Sequence, residues 1–332
     1  MPEKVSSSKL KLLTLIDILK KQTDEYHVLN ALEICDEIKK RGMMCERKSV
    51  YSDIKLLNEN GFDIIKTTTP KSGYFMASRD FELAEVRLII DAIQAADFIT
   101  KKKTSQLIEK MGLLVSDDEF NRLKGQMSVN NRIKCDNEEI YYNIDVLNRA
   151  IESKKQVSFS YVRHKIKDKT IINDEKDFVV NPYALVWSND HYYLVCNNPK
   201  YSNLMHARLD RMRKTKLMDT PSESFEKVSE YKEKFDVADY ANKMFNMFSG
   251  KPEEIVLVCD NSILEDIYDR FGDEAKIRNE DSSKFVLTTE AAISEGLTSW
   301  IMQYGKKIFV RSPEKLKDMI YEKSKNIVEM YK

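Results

Sequence analysis

Residues 155–220 read as a run of short strands, and one stretch within it, Trp187 to Cys196, restricts the fold most. Asn189-Asp190 suits a tight turn, with Tyr183 to Trp187 before it and His191 to Cys196 after it, which predicts a β-hairpin. Side chains alternate faces along a strand, so His191, Tyr193 and Val195 share one face and Tyr192, Leu194 and Cys196 the other. His206 and Arg208 stand two apart and point the same way. Aromatic tips, an imidazole and the guanidinium groups of Arg208 and Arg211 near one sheet suit an anionic ligand with flat rings. Arginine offers a planar fork to phosphate, and aromatic rings offer stacking surfaces.

The strands expected around this hairpin are 156–162, 170–180, 183–187, 191–196, 204–208 and 214–218. Five or six short strands with turns suit a small barrel. Tyr161 either joins the ligand pocket or fills the core, and the same two readings hold for Tyr193. Asp210, between Arg208 and Arg211, has its simplest role in pairing with an arginine and orienting it.

Charge is uneven along the chain, although the total is zero. Residues 145–220 hold 14 Lys+Arg against 9 Asp+Glu, a net +5, and residues 221–332 hold 17 against 22, a net −5. A polyanion is steered to the aromatic-arginine segment and away from the C-terminal part. With 42% hydrophobic and 33% charged residues, a soluble globular protein of two or three domains is expected. No apolar run reaches the roughly 20 residues that span a bilayer, and the N-terminus has no apolar signal region, so the expected location is the cytoplasm. The five cysteines form no C-x-x-C and the four histidines show no ligand spacing. No metal and no cofactor is expected.

Residues 1–80 read as three helices and a hairpin. The first helix, about 8–21, carries Leu12, Leu13, Ile16 and Leu19 on one stripe. Asn30 and Glu33 form a capping-box pattern at the second, which Gly42 ends. The third runs about 46–60, with Val50, Ile54 and Leu57 buried and Gly61 as its stop. Its outer face then carries Arg47, Lys48, Ser49, Tyr51, Ser52 and Lys55, which can bond phosphates or base edges. Two tandem helices and a hairpin make the pattern of a winged helix-turn-helix DNA-binding domain. The plainer reading is a small helical domain with a solvated, charged helix, and the net charge of +2 favours it.

Residues 81–144 read as a helical linker or dimerisation region. Leu83, Val86, Ile89, Ile90, Ile93 and Ala96 recur with helical period. Lys101-Lys102-Lys103 breaks that helix; the lysines either touch DNA or solvate a helix end. Residues 145–220 form the barrel, and 221–249 a polar bridge. Residues 250–332 alternate strand and helix as β-α-β-β-α-β-α, which suits a ferredoxin-like fold. Ser312-Pro313-Glu314 opens the last helix with cap, proline and acid in their favoured places.

Taken together, Tyr192-Tyr193-Leu194 and His206-Ala207-Arg208-Leu209-Asp210-Arg211, with Asn181-Pro182-Tyr183 upstream, resemble the WYL domain of bacterial transcriptional regulators. The family's Trp is Tyr192 here, and Ala207 stands where an aromatic is usual. Residues 47–57 resemble the recognition helix of DeoR-type winged helices, with Ser52 where arginine is usual, and the C-terminal part resembles the extension found after many WYL domains. The resemblance implies an Sm-like β-barrel. It also implies a regulator that binds operator DNA through the winged helix and senses a nucleic-acid fragment or phosphorylated small molecule. The effector residues would be Tyr161, Tyr193, His206, Arg208 and Arg211.

No G-x-S-x-G, P-loop, Rossmann or H-E-x-x-H motif occurs, so the sequence gives no reason to expect an enzyme. The expectation is an α+β multidomain, homodimeric, ligand-responsive regulator. The helical stripe and the C-terminal module are alternative dimer surfaces. The second reading is an accessory protein of a defence system that binds single-stranded nucleic acid without operator recognition.

Overall fold

A computed structural model of the chain describes residues 7–126, 134–201, 203–228 and 236–332. The expectations for 1–6, for 127–133 of the helical region and for 229–235 of the bridge lie outside the described residues. The chain divides into two compact units, Met1–Cys135 and Asp136–Lys332.

The first unit opens with helices α1 (Ser7–Gln22), α2 (Ala31–Lys40) and α3 (Arg47–Glu59) and the antiparallel hairpin β1 (Ile64–Thr67) and β2 (Gly73–Met76). Helix α2 starts where the sequence places it. The Asn30 side chain accepts the N–H groups of Leu32 and Glu33, and the Glu33 carboxylate takes the Asn30 N–H at 2.7 Å. Gly42 and Gly61 sit at φ +80° and +90°, where a side chain is disfavoured, and end α2 and α3. The core contains Leu15, Ile18, Leu19, Ile34, Ile38, Val50, Ile54 and Leu57. Leu13, expected on the buried stripe of α1, is 65% exposed, and Leu15 and Ile18 take the core positions. The first helix is apolar over more than half its circumference, so periodicity alone does not select the face.

Helices α4 (Leu83–Ala95), α5 (Lys101–Gly112) and α6 (Asp117–Gln126) complete the unit. The α4 stripe is used within the chain, where Val86 and Ile90 pack with Ile108, Val115, Phe120 and Leu123. The three lysines do not break a helix, as expected from the sequence, but begin one. Burial of Ala96, Phe98 and Ile99 makes the break, and Thr100 Oγ1 then caps α5 at the Lys103 N–H. That cap satisfies a helix end at which the lysines meet an unfavourable dipole.

The second unit begins with α7 (Ile140–Ser153) and the strands β3 (Lys155–Lys167), β4 (Thr170–Ser188), β5 (His191–Asn197), β6 (Leu204–Arg208) and β7 (Met212–Pro221). Asn189 and Asp190 have φ +49° and +57°, so the predicted turn joins β4 to β5, and Asp168-Lys169 makes a matching turn between β3 and β4. The strands expected at 170–180 and 183–187 are one strand. Asn181-Pro182 does not interrupt it, and the register shift comes between Pro182 and Ala184.

The expected closed barrel does not form. The sheet is open, in the order β6-β5-β4-β3-β7, with β6 and β7 as its edges. These edges are nevertheless joined by a single 3₁₀ turn, Leu209–Arg211. Side chains fill the place of a closing ladder. The Asn137 amide, 1% exposed, donates to the carbonyl oxygens of Leu209, Asp210 and Met212 at 3.3, 3.1 and 2.7 Å, and Asn143 donates to Met212 at 3.1 Å. Backbone acceptors that a neighbouring strand would otherwise meet are thereby satisfied. Helix α7 packs against β3, β4 and β7.

The short helices α8 (Phe225–Val228) and α9 (Val237–Lys243) follow, then β8 (Lys251–Asp260), α10 (Leu264–Phe271), β9 (Lys276–Asn279), β10 (Lys284–Ile293), α11 (Glu295–Met302), β11 (Ile308–Ser312) and α12 (Glu314–Met330). The four strands lie in the order β11-β8-β10-β9 with antiparallel neighbours. A β-α-β-β-α-β chain takes this order when its two crossovers interleave. Ser312 does not cap α12. It remains in β11, and Pro313 precedes the helix without a side-chain cap bond.

Replacing Asn137 with alanine should lower the stability of the second unit by about 1–3 kcal/mol, because buried carbonyls lose their donor. Both tryptophans, Trp187 and Trp300, lie in that unit, so tryptophan fluorescence in urea reports it. An unchanged midpoint would show that Asn137 does not hold the sheet edges.

Candidate functional site

Helix α3 presents the outer face read from its periodicity. Val50, Ile54 and Leu57 are buried, Arg47, Lys48, Tyr51, Ser52 and Lys55 are exposed, and Ser49 is half-buried. The face is partly organised by bonds among its own side chains. Arg47 Nε donates to Tyr51 Oη at 2.8 Å, with the guanidinium 5.7 Å from the ring centre. Ser52 Oγ donates back to the Ser49 carbonyl at 2.9 Å, and Lys55 approaches Glu59 at 3.8 Å. Tyr51 in turn meets Tyr74 of β2, with ring centres 6.3 Å apart. A cleft of about 210 Å³ here is lined by Arg47, Tyr51, Lys66 and Tyr74 among others. Lys66 and Tyr74 were not singled out from the sequence, because the hairpin register that brings them beside α3 is a tertiary fact.

In the sheet of the second unit, β5 and β6 pair with Tyr193 opposite Arg208 and Val195 opposite His206. Directly opposed residues share a face, so Tyr193, His206 and Arg208 do lie together. That face is largely covered. Ala184, Val186 and Val195 form a core with Tyr240, Met244, Met247 and Ala292, and Tyr193 packs against it. His206 Nε2 shares a 2.8 Å hydrogen bond with Tyr240 Oη of α9.

The charges of Arg208 and Arg211 and the Tyr161 hydroxyl are close enough to act on Tyr193, so the other predicted effector residues lie around it, each with its own surroundings. Arg208 is held by Asp210 in a two-point pair, Nε to Oδ1 at 3.0 Å and a terminal nitrogen to Oδ2 at 2.6 Å. Burial alone would weaken the guanidinium's charge; Asp210 outweighs it, and the net displacement of the pKa is upward. Tyr161 is 6% exposed and lies in the core; its hydroxyl oxygen accepts the Arg208 backbone N–H at 3.2 Å. Arg211 is exposed and has no side-chain bond or ion pair among the described residues. The sequence therefore locates a group whose members do different things. Asp210 orients Arg208, Tyr161 supports the strand end, His206 packs, and Arg211 faces solvent.

Arg163 and Lys176 were not anticipated. Arg163 lies 5.4 Å from the Tyr161 ring centre and Lys176 lies 5.6 Å from that of Phe178, so two cations border the aromatic group Phe159, Tyr161 and Phe178. Each cation stands two residues from its ring on the same strand, and the β3–β4 register, which pairs Tyr161 with Lys176, brings the two pairs together. A cavity of about 630 Å³ lies elsewhere in the unit, lined by Asp239, Lys243, Glu254, Arg270, Lys276 and Glu290 among others. These six side chains balance in charge, and Lys243 pairs with both Asp239 and Glu290 at 2.8 Å. In the first unit, Asp24, His27 and Asp118 bring three ligand-type atoms within 4.8 Å. The Asp24 oxygens already accept from Tyr26, His27 and Ser116, so the group acts as a clasp between the end of α1 and the start of α6.

Burial pushes the His206 imidazole down to about 4 from an ordinary 6.5. The unfolded chain therefore takes up the proton first. The stabilisation by the neutral ring is complete above about pH 6.5 and is lost as pH falls toward about 4. Urea midpoints measured across that range should decline more steeply for the wild type than for His206→Gln. Parallel declines would rule out a neutral, half-buried His206.

Among curated proteins none matches the chain. A solved structure of Proteasome accessory factor B/C (PafBC) of Arthrobacter aurescens is similar over 95% of this chain and 46% of that one, with 16% identity and a TM-score of 0.27. The chain thus spans a little under half the length of that protein. Among the described residues no helix is long and apolar enough to cross a membrane. Residues 142–217 match the WYL domain and residues 251–328 the WCX domain, and both domains are present in this chain.

Proposed function

We propose that the protein is a ligand-responsive transcriptional regulator of the cytoplasm and not an enzyme. In this reading residues 1–80 form a winged helix that binds operator DNA as a homodimer, and the WYL domain senses an anionic, nucleic-acid-derived or phosphorylated effector. The observation that carries it is the outer face of α3, with Arg47, Lys48, Tyr51, Ser52 and Lys55 exposed on a helix whose opposite side is locked into a core. The presence of WYL and WCX domains supports the sensing half. An effector regulates only if it binds one dimer geometry better than the other.

Duplexes selected from a random library should bind the protein with two chains per duplex, measured by light scattering of the complex. Arg47→Ala with Lys48→Ala should weaken binding by about 1–3 kcal/mol for each base-reading side chain removed. Unchanged mobility-shift affinity would remove α3 as the reading helix, and a single chain per duplex would remove the dimer.

For the effector, Arg211 is the cleaner probe, since Arg208→Ala also breaks the Arg208–Asp210 ion pair. A phosphate held by Arg211 gains about 1.5–3 kcal/mol from the charge-assisted bond. Calorimetry with short single-stranded oligonucleotides and cyclic nucleotides should show that loss in Arg211→Ala, while duplex binding persists. If the variant binds each of them as the wild type does, the sensor is not at Arg211. The net charge of +5 on residues 145–220 also fits the second reading, single-stranded nucleic-acid binding in a defence system. Oligonucleotide binding without any selected duplex would favour it.

A further inference from the structure

Two of the five cysteines meet in the first unit. Cys35 lies on α2, 2% exposed and part of the core, and Cys45 lies in the stretch of irregular backbone just before α3. Their sulfurs are 3.3 Å apart. Cys45 is only half-buried, and its sulfur is otherwise 3.9 Å from Ser49 Oγ and from the Glu46 carbonyl. A disulfide needs about 2.05 Å, so the sulfurs must close by little more than an ångström. Cys35 is held by a packed helix, whereas Cys45 lies outside regular secondary structure, between Met43, whose N–H bonds the Ile38 carbonyl, and Glu46, whose carbonyl accepts the first N–H groups of α3.

We propose that Cys35 and Cys45 are a redox-modification site, which a peroxide converts to an intramolecular disulfide joining α2 to the start of α3. Cys45 is the thiol that solvent reaches. Its thiolate attacks hydrogen peroxide, an S–O bond forms, the O–O bond breaks, and the departing hydroxide is protonated to water. Cys45 is then a sulfenic acid. The Cys35 sulfur attacks the Cys45 sulfur, an S–S bond forms, the S–O bond breaks, and the hydroxyl leaves as water with the Cys35 proton. Two thiols and one peroxide give one disulfide and two waters, with two electrons passing to the peroxide.

Burial, with Cys45 beside it, pushes the Cys35 thiol up to about 11, so it stays protonated at neutral pH and acts second. A sulfur with so high a pKa is also a poor leaving group, which slows reductive attack at Cys45. Residue 45 is two positions from Arg47, so the movement that closes the bond falls at the first turn of α3. The modification stands independently of what α3 binds.

The test uses the full chain, reduced and then treated with hydrogen peroxide, with remaining thiols alkylated before mass analysis. The expected product has lost the mass of two hydrogen atoms and resists alkylation at both positions. Lys39, Lys40 and Arg41 place the two cysteines on separate tryptic peptides, so those peptides should appear linked, and dithiothreitol should separate them. Cys45→Ser, a small change at a half-buried position beside Ser49, should fold as the wild type does and show no such mass loss. Full alkylation of Cys35 and Cys45 after peroxide, or a linkage to another cysteine or a second chain, would overturn the proposal.

Discussion

Three residues link the two edges of the five-stranded sheet, and much of the second unit follows from that limit. The chain can pass from β6 to β7 through Leu209–Arg211 only if the outermost strands lie near each other. The sheet must therefore curl, and β4 accommodates this with 19 residues and a register shift after Pro182. Curling without closure leaves backbone acceptors at the gap. Asn137 and Asn143, carried at the head of α7 and within it, supply the donors. Arg213 adds bonds to the Asp210 and Met212 carbonyls at 2.8 and 3.2 Å. These buried carbonyls have donors, although the side-chain oxygen of Asn143 is itself buried without a hydrogen-bond partner among the described residues.

The same link sets the chemistry of the candidate effector residues. In a 3₁₀ turn, Asp210 comes back beneath Arg208 and pairs with it at both carboxylate oxygens. The pair is partly shielded from water, so breaking it is more costly than breaking a surface ion pair. Arg211, one residue further, is exposed. Two arginines three positions apart thus differ in environment, one paired with Asp210 and one exposed. Helix α9 adds a second limit. It lays Tyr240 against His206, whose imidazole pKa is lowered by burial.

In the first unit, local rules and tertiary packing agree more closely. The capping box at α2, the glycines after α2 and α3, and the buried triplet of α3 are each short-range features that reappear in three dimensions. Their agreement leaves the outer face of α3 free of core duty. The lysines at the start of α5 show the contrary case, in which propensity gives way to burial of the preceding apolar residues and a single threonine cap.

The sequence by itself determined the elements and the faces. Hydrophobic period, caps and turn residues act over a few positions, so α3, the Asn189-Asp190 hairpin and the alternation of Tyr193, His206 and Arg208 could be read without coordinates. The tertiary structure decided which faces are covered and which strands are neighbours. Whether Leu13 or Leu15 is buried, whether the barrel closes, and whether Tyr161 is core or pocket depend on residues distant in the chain, and no local pattern encodes them. The same holds for the grouping of Arg163 and Lys176 around one aromatic cluster, since each stands two residues from its ring on its own strand and only the β3–β4 register unites them, and for Cys35 and Cys45, whose ten-residue separation shows no motif until the fold brings the sulfurs together.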